Sequence, residues 1–316
     1  MAEQARIGLV LGAGGMTGTA FHAGVIAGLG AAGWDARTAD LMIGTSAGST
    51  SSALLRAGLP PADFLRRMAG QAPSSEGARV LGGIKPLTSP SRSHTPQRRR
   101  PASTALLGAM ARRPWQFRPA HVVAGLLPEG TVPLDAGVGS LGAMFDGWPS
   151  EPTWICAVRL DDGRRVVFGK DATTSMAQAV SASCAVPGYF APAVIDGVRH
   201  VDGGVWSVHN LDLVADQDLD LVVVSAPMST DSWHARESGQ VARVPVRAQL
   251  RREVARVRRA GTQVIVIEPD ARLRATMGTT TMDARRRGPV ARAASSLIAA
   301  LARAGRFDAL TSPPDA

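Results

Sequence analysis

From Ile7 to Trp34 the chain carries no Asp, Glu, Lys or Arg, yet nine of its residues there are glycine. An uncharged run of this length could cross a bilayer. The glycines argue otherwise. They crowd into the first half as "GAGG", where they would weaken a helix and favour a tight loop. The run therefore reads as a strand over "RIGLVLG" (6–12), a glycine loop, and a helix over "TAFHAGVIAGLGAAG" (19–33). A strand and a helix without any charged face must both be covered by other elements, which demands a layered fold. A secretion signal fits poorly, because only Arg6 stands before the apolar part.

The remaining pattern supplies the layers. Strands are expected at "ADLMIG" (39–44), in a hairpin over "TWICAVRLDDGRRVVFG" (153–169), in the strand and turn pattern "PAVIDGVRHVDGGV" (192–205), and at "LDLVVVSAP" (219–227) and "TQVIVIEP" (262–269). Helices are expected over 49–58, 60–70 and 119–130, and in "SMAQAVSASCAVPGYF", where Pro187 breaks the helix. Alternating strands and helices predict an α/β fold, three layers α/β/α around a mainly parallel sheet. The expectation is a single domain over residues 1–316, with the Pro/Ser/Arg-rich stretch at about 72–104 as a mobile insertion.

Cys156 and Cys184 are too few for a disulfide framework, which points to a reducing compartment and a cytoplasmic protein. No cluster has metal-ligand spacing, so neither metal nor other cofactor is expected. The net charge is +9 and nearly all basic residues are Arg. No nucleic-acid motif accompanies that charge, and no nucleic-acid partner is expected. Peripheral contact with an anionic membrane, at the inner membrane surface, is compatible with it. In "VPVRAQLRREVARVRRAG" (244–261), Val246, Leu250, Val254 and Val257 share one helical face, and arginines fill most of the rest. This reads first as a helix packed on the sheet and second as a lipid-docking helix.

The chemistry centres on "GTSAGS". Ser46 lies between Gly44 and Gly48 in a Gly-x-Ser-x-Gly pattern, which can lift a serine hydroxyl out of a tight strand-to-helix turn. Such a serine needs a base and donors for the developing oxyanion. The loop "GAGGMTG" (12–18) can supply backbone N–H groups at the start of a helix. His22, His94, His121, His200, His209 and His234 are candidate bases, but none lies in a signature. Asp202, in "HVDGGV", stands at a strand end on a tight turn, as a base or as a turn aspartate. Gly12, Gly15 and Gly18 also follow the spacing of a dinucleotide loop. Against that, no Lys lies four residues after Tyr189, and the second strand ends in "GTSAGS" instead of an acidic ribose ligand.

Four blocks, "LVLGAGGMTGTAFHAGV", "GTSAGS", "SASCAVPGYFAP" and "VDGG", occur in this order. Together they resemble the bacterial patatin-like phospholipases. The resemblance implies a Ser-Asp dyad without a catalytic histidine. Ser46 matches the nucleophile, with Gly44 and Gly48 forming its elbow. Asp202 matches the base of an Asp-Gly-Gly element completed by Gly203 and Gly204. Gly14, Gly15 and Met16 match the oxyanion loop. The family's loop often carries Arg or Lys before its last glycine; this chain has Thr17 there, before Gly18. The implied activity is hydrolysis of lipid esters through an acyl-Ser46 intermediate. The alternatives are a non-catalytic lipid-binding or regulatory protein on the same fold and, further off, an NAD(P)-binding protein using the 12–18 loop.

Overall fold

A computed structural model of the chain describes residues 5–82, 101–134, 138–230 and 243–311. Eight strands form one sheet. They are β1 (Ile7–Leu11), β2 (Leu41–Thr45), β3 (Thr153–Arg159), β4 (Arg165–Phe168), β5 (Ala193–Ile195), β6 (Val198–Asp202), β7 (Leu221–Ser225) and β8 (Gln263–Ile267). Across the sheet they run β5-β6-β3-β2-β1-β7-β8, with β4 also paired to β3. The neighbours β3, β2, β1, β7 and β8 are parallel, whereas β4, β5 and β6 join antiparallel.

Strand side chains alternate between two cores. Leu9, Leu11, Met42, Ile155, Leu221 and Val223 enter one core, and Val10, Ile43, Cys156, Val222 and Val224 enter the other. Helices cover both faces, which gives the expected mixed α/β architecture with a mostly parallel central sheet. The uncharged run at the N-terminus resolves into β1, the loop and α1 (Gly15–Ala31). Among the described residues no helix is long and apolar enough to cross a membrane.

α1 is buried along most of its length, so its residues are uncharged throughout and its glycines set how near its neighbours come. Its main cover is α10 (Arg287–Arg303). A Cβ on Gly24 would lie 2.2 Å from the carbonyl oxygen of Ala291, and one on Gly28 would lie 2.6 Å from Cβ of Ile298. The two helices approach at a distance only glycine permits.

One expectation needs correction. The stretch at about 72–104 is not one continuous loop. Its first part forms α4 (Ser75–Leu81), because the Ser74 hydroxyl caps the Gly77 N–H at 3.0 Å and Ser74 in turn donates to buried Asp63. Its last residues open α5 (Thr104–Arg112), capped by Ser103. Residues 83–100, with the Arg98–Arg100 run, lie outside the described residues. Helix α7 (Met176–Cys184) stops short of Pro187 as expected, because Pro187 disfavours the helical region at Val186 and the Ala185 carbonyl accepts the Asp202 N–H at 2.9 Å.

The basic segment forms α8 (Arg243–Arg259), and Leu250, Val254 and Val257 are buried in the second core. Its apolar face is therefore committed to the sheet.

Gly24→Ala is expected to force α1 and α10 apart and to cost about 1–3 kcal/mol. Urea unfolding of the variant beside the wild type would show this as a lower midpoint. An unchanged midpoint would mean that the helix contact is slack.

Candidate active site

Ser46 stands between β2 and α2 (Ala47–Arg56) with φ 52° and ψ −116°. A positive φ at a non-glycine residue costs on the order of 1–3 kcal/mol and persists only where its surroundings enforce it. Here they do. The Ser46 N–H donates to Ser183 Oγ at 2.9 Å. Its carbonyl accepts from Ser49 Oγ at 2.6 Å and from the Cys184 thiol at 3.3 Å. Gly48 lets α2 pass over β1, since a Cβ there would lie 1.9 Å from the Leu11 carbonyl oxygen. Gly44 gives similar clearance, with Ser49 Cα only 2.7 Å from its would-be Cβ.

Asp202 ends β6, and strand register brings it to Ser46. β3 pairs β2 through Thr45 opposite Cys156, and pairs β6 through Asp202 opposite Ala157. β4 occupies the other edge of β3 along Ile155–Val158. β2 and β6 must then share one edge of β3, running in opposite directions with their carboxyl ends meeting. Beyond Asp202 the chain crosses directly over Cys156. A Cβ on Gly203 would lie 2.3 Å from that residue's carbonyl oxygen. The Gly204 N–H donates to Asp202 Oδ1 at 2.7 Å and fixes the carboxylate.

Ser46 and Asp202 are each 5% exposed, so the pair is shielded from bulk water. Burial pushes the Asp202 carboxyl up to about 6, against hydrogen bonding from the Ser46 side chain and the Gly204 N–H, which pulls it down.

The glycine loop lies between β1 and α1. Gly14 packs against Gly18, leaving 2.7 Å for a Cβ, and Gly15 has φ 59°. The N–H groups of Gly12, Ala13, Thr17 and Gly18 all have backbone acceptors. Those of Gly14 and Gly15 meet no acceptor among the described residues. Met16 follows in the first turn of α1. Thr17 is fully buried, and its N–H donates to the Thr281 carbonyl at 3.0 Å.

No described histidine hydrogen-bonds Ser46 or Asp202. His22 Nε2 donates to the Gly12 carbonyl at 2.7 Å, and its Nδ1 accepts from Ser225 Oγ at 2.8 Å. Burial holds His22 down at about 4 and His209 at about 3, so both are neutral. His121 and His200 bond to backbone carbonyls elsewhere. His94 and His234 lie outside the described residues. The two cysteines are free, and burial pushes both thiols up to about 12, which leaves them protonated.

Other residues support the elbow without any local sequence signal. Asn210 Nδ2 donates to Thr45 Oγ1 at 3.0 Å, directly before Ser46. Asn210 is held in turn by Ser207, whose hydroxyl donates to Glu253 of α8 at 2.7 Å. A Glu on the buried face of α8 was the one available hint.

The patatin-like phospholipase family model matches residues 9–215. The chain belongs to the patatin-like phospholipase family. The matched span runs from β1 past the Asp-Gly-Gly element, and membership implies a lipid acyl hydrolase. In addition, a crystal structure of VipD from Legionella pneumophila aligns with 96% of this chain and 68% of its own, at 14% identity and a TM-score of 0.45.

A buried carboxylate in this patatin-like protein should cost stability when charged. Its folded value of about 6 lies above the ordinary 3.8, so the cost is absent below about pH 4 and complete above about pH 6. Asp202→Asn is therefore expected to gain on the order of 2–3 kcal/mol over wild type near neutral pH and nothing at about pH 3.5. Thermal unfolding at both pH values checks this. A pH-independent difference would mean that the charge is not buried.

Proposed function

We propose that the protein is a serine acyl hydrolase of the phospholipase A or lysophospholipase type, with Ser46 as nucleophile and Asp202 as base. The observation that carries this reading is the meeting of the β2 and β6 carboxyl ends, which sets a strained, tethered serine against a buried carboxylate. A base works best when its proton affinity lies near the working pH. The upward displacement of Asp202 to about 6 moves it in that direction.

In the proposed cycle Asp202 takes the Ser46 hydroxyl proton as Oγ attacks the ester carbonyl. The oxygen turns negative and accepts hydrogen bonds from the Gly14 and Gly15 N–H groups, with the first turn of α1 at Met16 behind them. The tetrahedral carbon then expels the alcohol, which receives the proton from Asp202. Asp202 next takes a proton from water, the hydroxide attacks acyl-Ser46, and the acid leaves as Ser46 regains a proton. Gly44, Gly48, Gly203 and Gly204 do no chemistry; they permit the close backbone crossings.

The matched family region ends at 215, yet α10 packs on α1. We read the whole chain as one working unit. Two free thiols support a reducing compartment such as the cytoplasm.

Intact mass after exposure to a fluorophosphonate tests the reading. Wild type should gain one adduct, and Ser46→Ala none. Asp202→Asn should label, and hydrolyse a simple ester, at least about a thousandfold more slowly. The wild-type kcat/KM should fall on acidification through about pH 6 as Asp202 is protonated. Normal labelling of Asp202→Asn would move the role of base to another group.

A further inference from the structure

Five of the exposed large apolar side chains, Trp115, Val122, Val123, Leu126 and Leu127, fall within thirteen residues of chain, and a sixth, Tyr189, stands next to Gly188, on which Leu127 packs. Four of them lie on or directly after α6 (Pro119–Leu126), the helix that follows the Pro114–Gln116 turn. α6 buries His121, Ala124 and Gly125 inward, so its outer face carries Val122, Val123 and Leu126. A helix seated on a globular body ordinarily turns polar residues outward. This one turns out valine and leucine, and Trp115 on the preceding turn is 77% exposed.

Charge says what the surface meets. Residues 101–128 contain no Asp or Glu, while Arg112 and Arg113 are exposed and pair with no carboxylate among the described residues. An apolar face edged by arginines and tipped by tryptophan matches the headgroup boundary of an anionic bilayer.

The surface is also fastened to the candidate active site on two sides. His121 Nε2 bonds the Gly163 carbonyl at 3.0 Å, and Arg118 stacks over Trp206 at 4.6 Å. Trp206 stands two residues after Gly204. On the other side Leu127 packs on Gly188, whose would-be Cβ lies 3.1 Å from Leu127 Cδ1. Gly188 continues the segment whose Ser183 and Cys184 hold Ser46.

We infer that the outer face of α6, with Trp115, Arg112 and Arg113, docks the protein on an anionic lipid bilayer. The choice of occupant rests on the lipid-hydrolase reading; the surface itself does not. The docking element is thus α6, not the basic helix α8, whose apolar face is used inside.

Sedimentation of the full chain with phosphatidylcholine vesicles, with and without phosphatidylglycerol, tests this. Wild type should pellet with the anionic vesicles at low salt. Trp115→Glu combined with Val123→Glu should cut the bound fraction at least about tenfold, and Arg112→Glu with Arg113→Glu should remove the dependence on phosphatidylglycerol. Fluorophosphonate labelling and soluble-ester turnover should stay at wild-type rates in both variants, which shows that they are folded. A folded Trp115→Glu/Val123→Glu variant that still pelleted, or wild type that stayed in the supernatant, would overturn the proposal. So would a wild-type dimer that the same variant splits while neither protein binds vesicles, since the face would then be a contact between copies. Wild type that pellets as expected but never labels would leave the docking surface standing and remove the hydrolase reading.

Discussion

The structure around the candidate site depends on one shared strand edge. β3 offers a single row of backbone groups to two strands, β2 up to Cys156 and β6 from Ala157. Because the two arrive from opposite directions, both carboxyl ends stop at the same place. Side chains at strand ends face open space beyond the sheet, which is where ligands of open α/β sheets bind. Ser46 and Asp202 need no dedicated scaffold. The hydrogen-bond ladder of β3 sets their separation.

Close packing then removes freedom from each partner. Backbone passes backbone at Gly48 over Leu11 and at Gly203 over Cys156, and small side chains tie the elbow from α7. The same economy operates in the body of the protein, where α10 settles into the space left by Gly24 and Gly28 of α1. A chain with 34 glycines in 316 residues spends many of them on these crossings, at some entropic cost to the folded state.

Much of this could be read from the residues. The uncharged run from Ile7 to Trp34 announced a covered strand and helix, and its "GAGG" marked the loop between them. "GTSAGS" and "VDGG" located the two ends that meet, because glycines flanking a polar residue at the close of an apolar run signal a turn that exposes it. What could not be read was pairing. Nothing local to Cys156 and Ala157 says that they face Thr45 and Asp202, more than a hundred and about forty-five residues away respectively, since register is a property of the assembled sheet. The link from Glu253 through Ser207 and Asn210 to Thr45 was hidden for the same reason. α4 escaped because it is short and carries Gly77 inside it, and its support comes from Ser74 and the buried Asp63.

The shared edge also fixes where the chain can tolerate change in length. Successive strand residues point to opposite faces, so a slip of one position along β6 would bring Val201 or Gly203 to the place of the carboxylate. Beyond α2, the described part of the connection to β3 takes no place in that ladder, so the connection there can gain or lose residues without disturbing it. Sequence drift in relatives of this chain should therefore collect in that connection, while the spacing from His200 to Gly204 stays frozen, with the ladder acting as a ruler that any lengthened strand would fail to match.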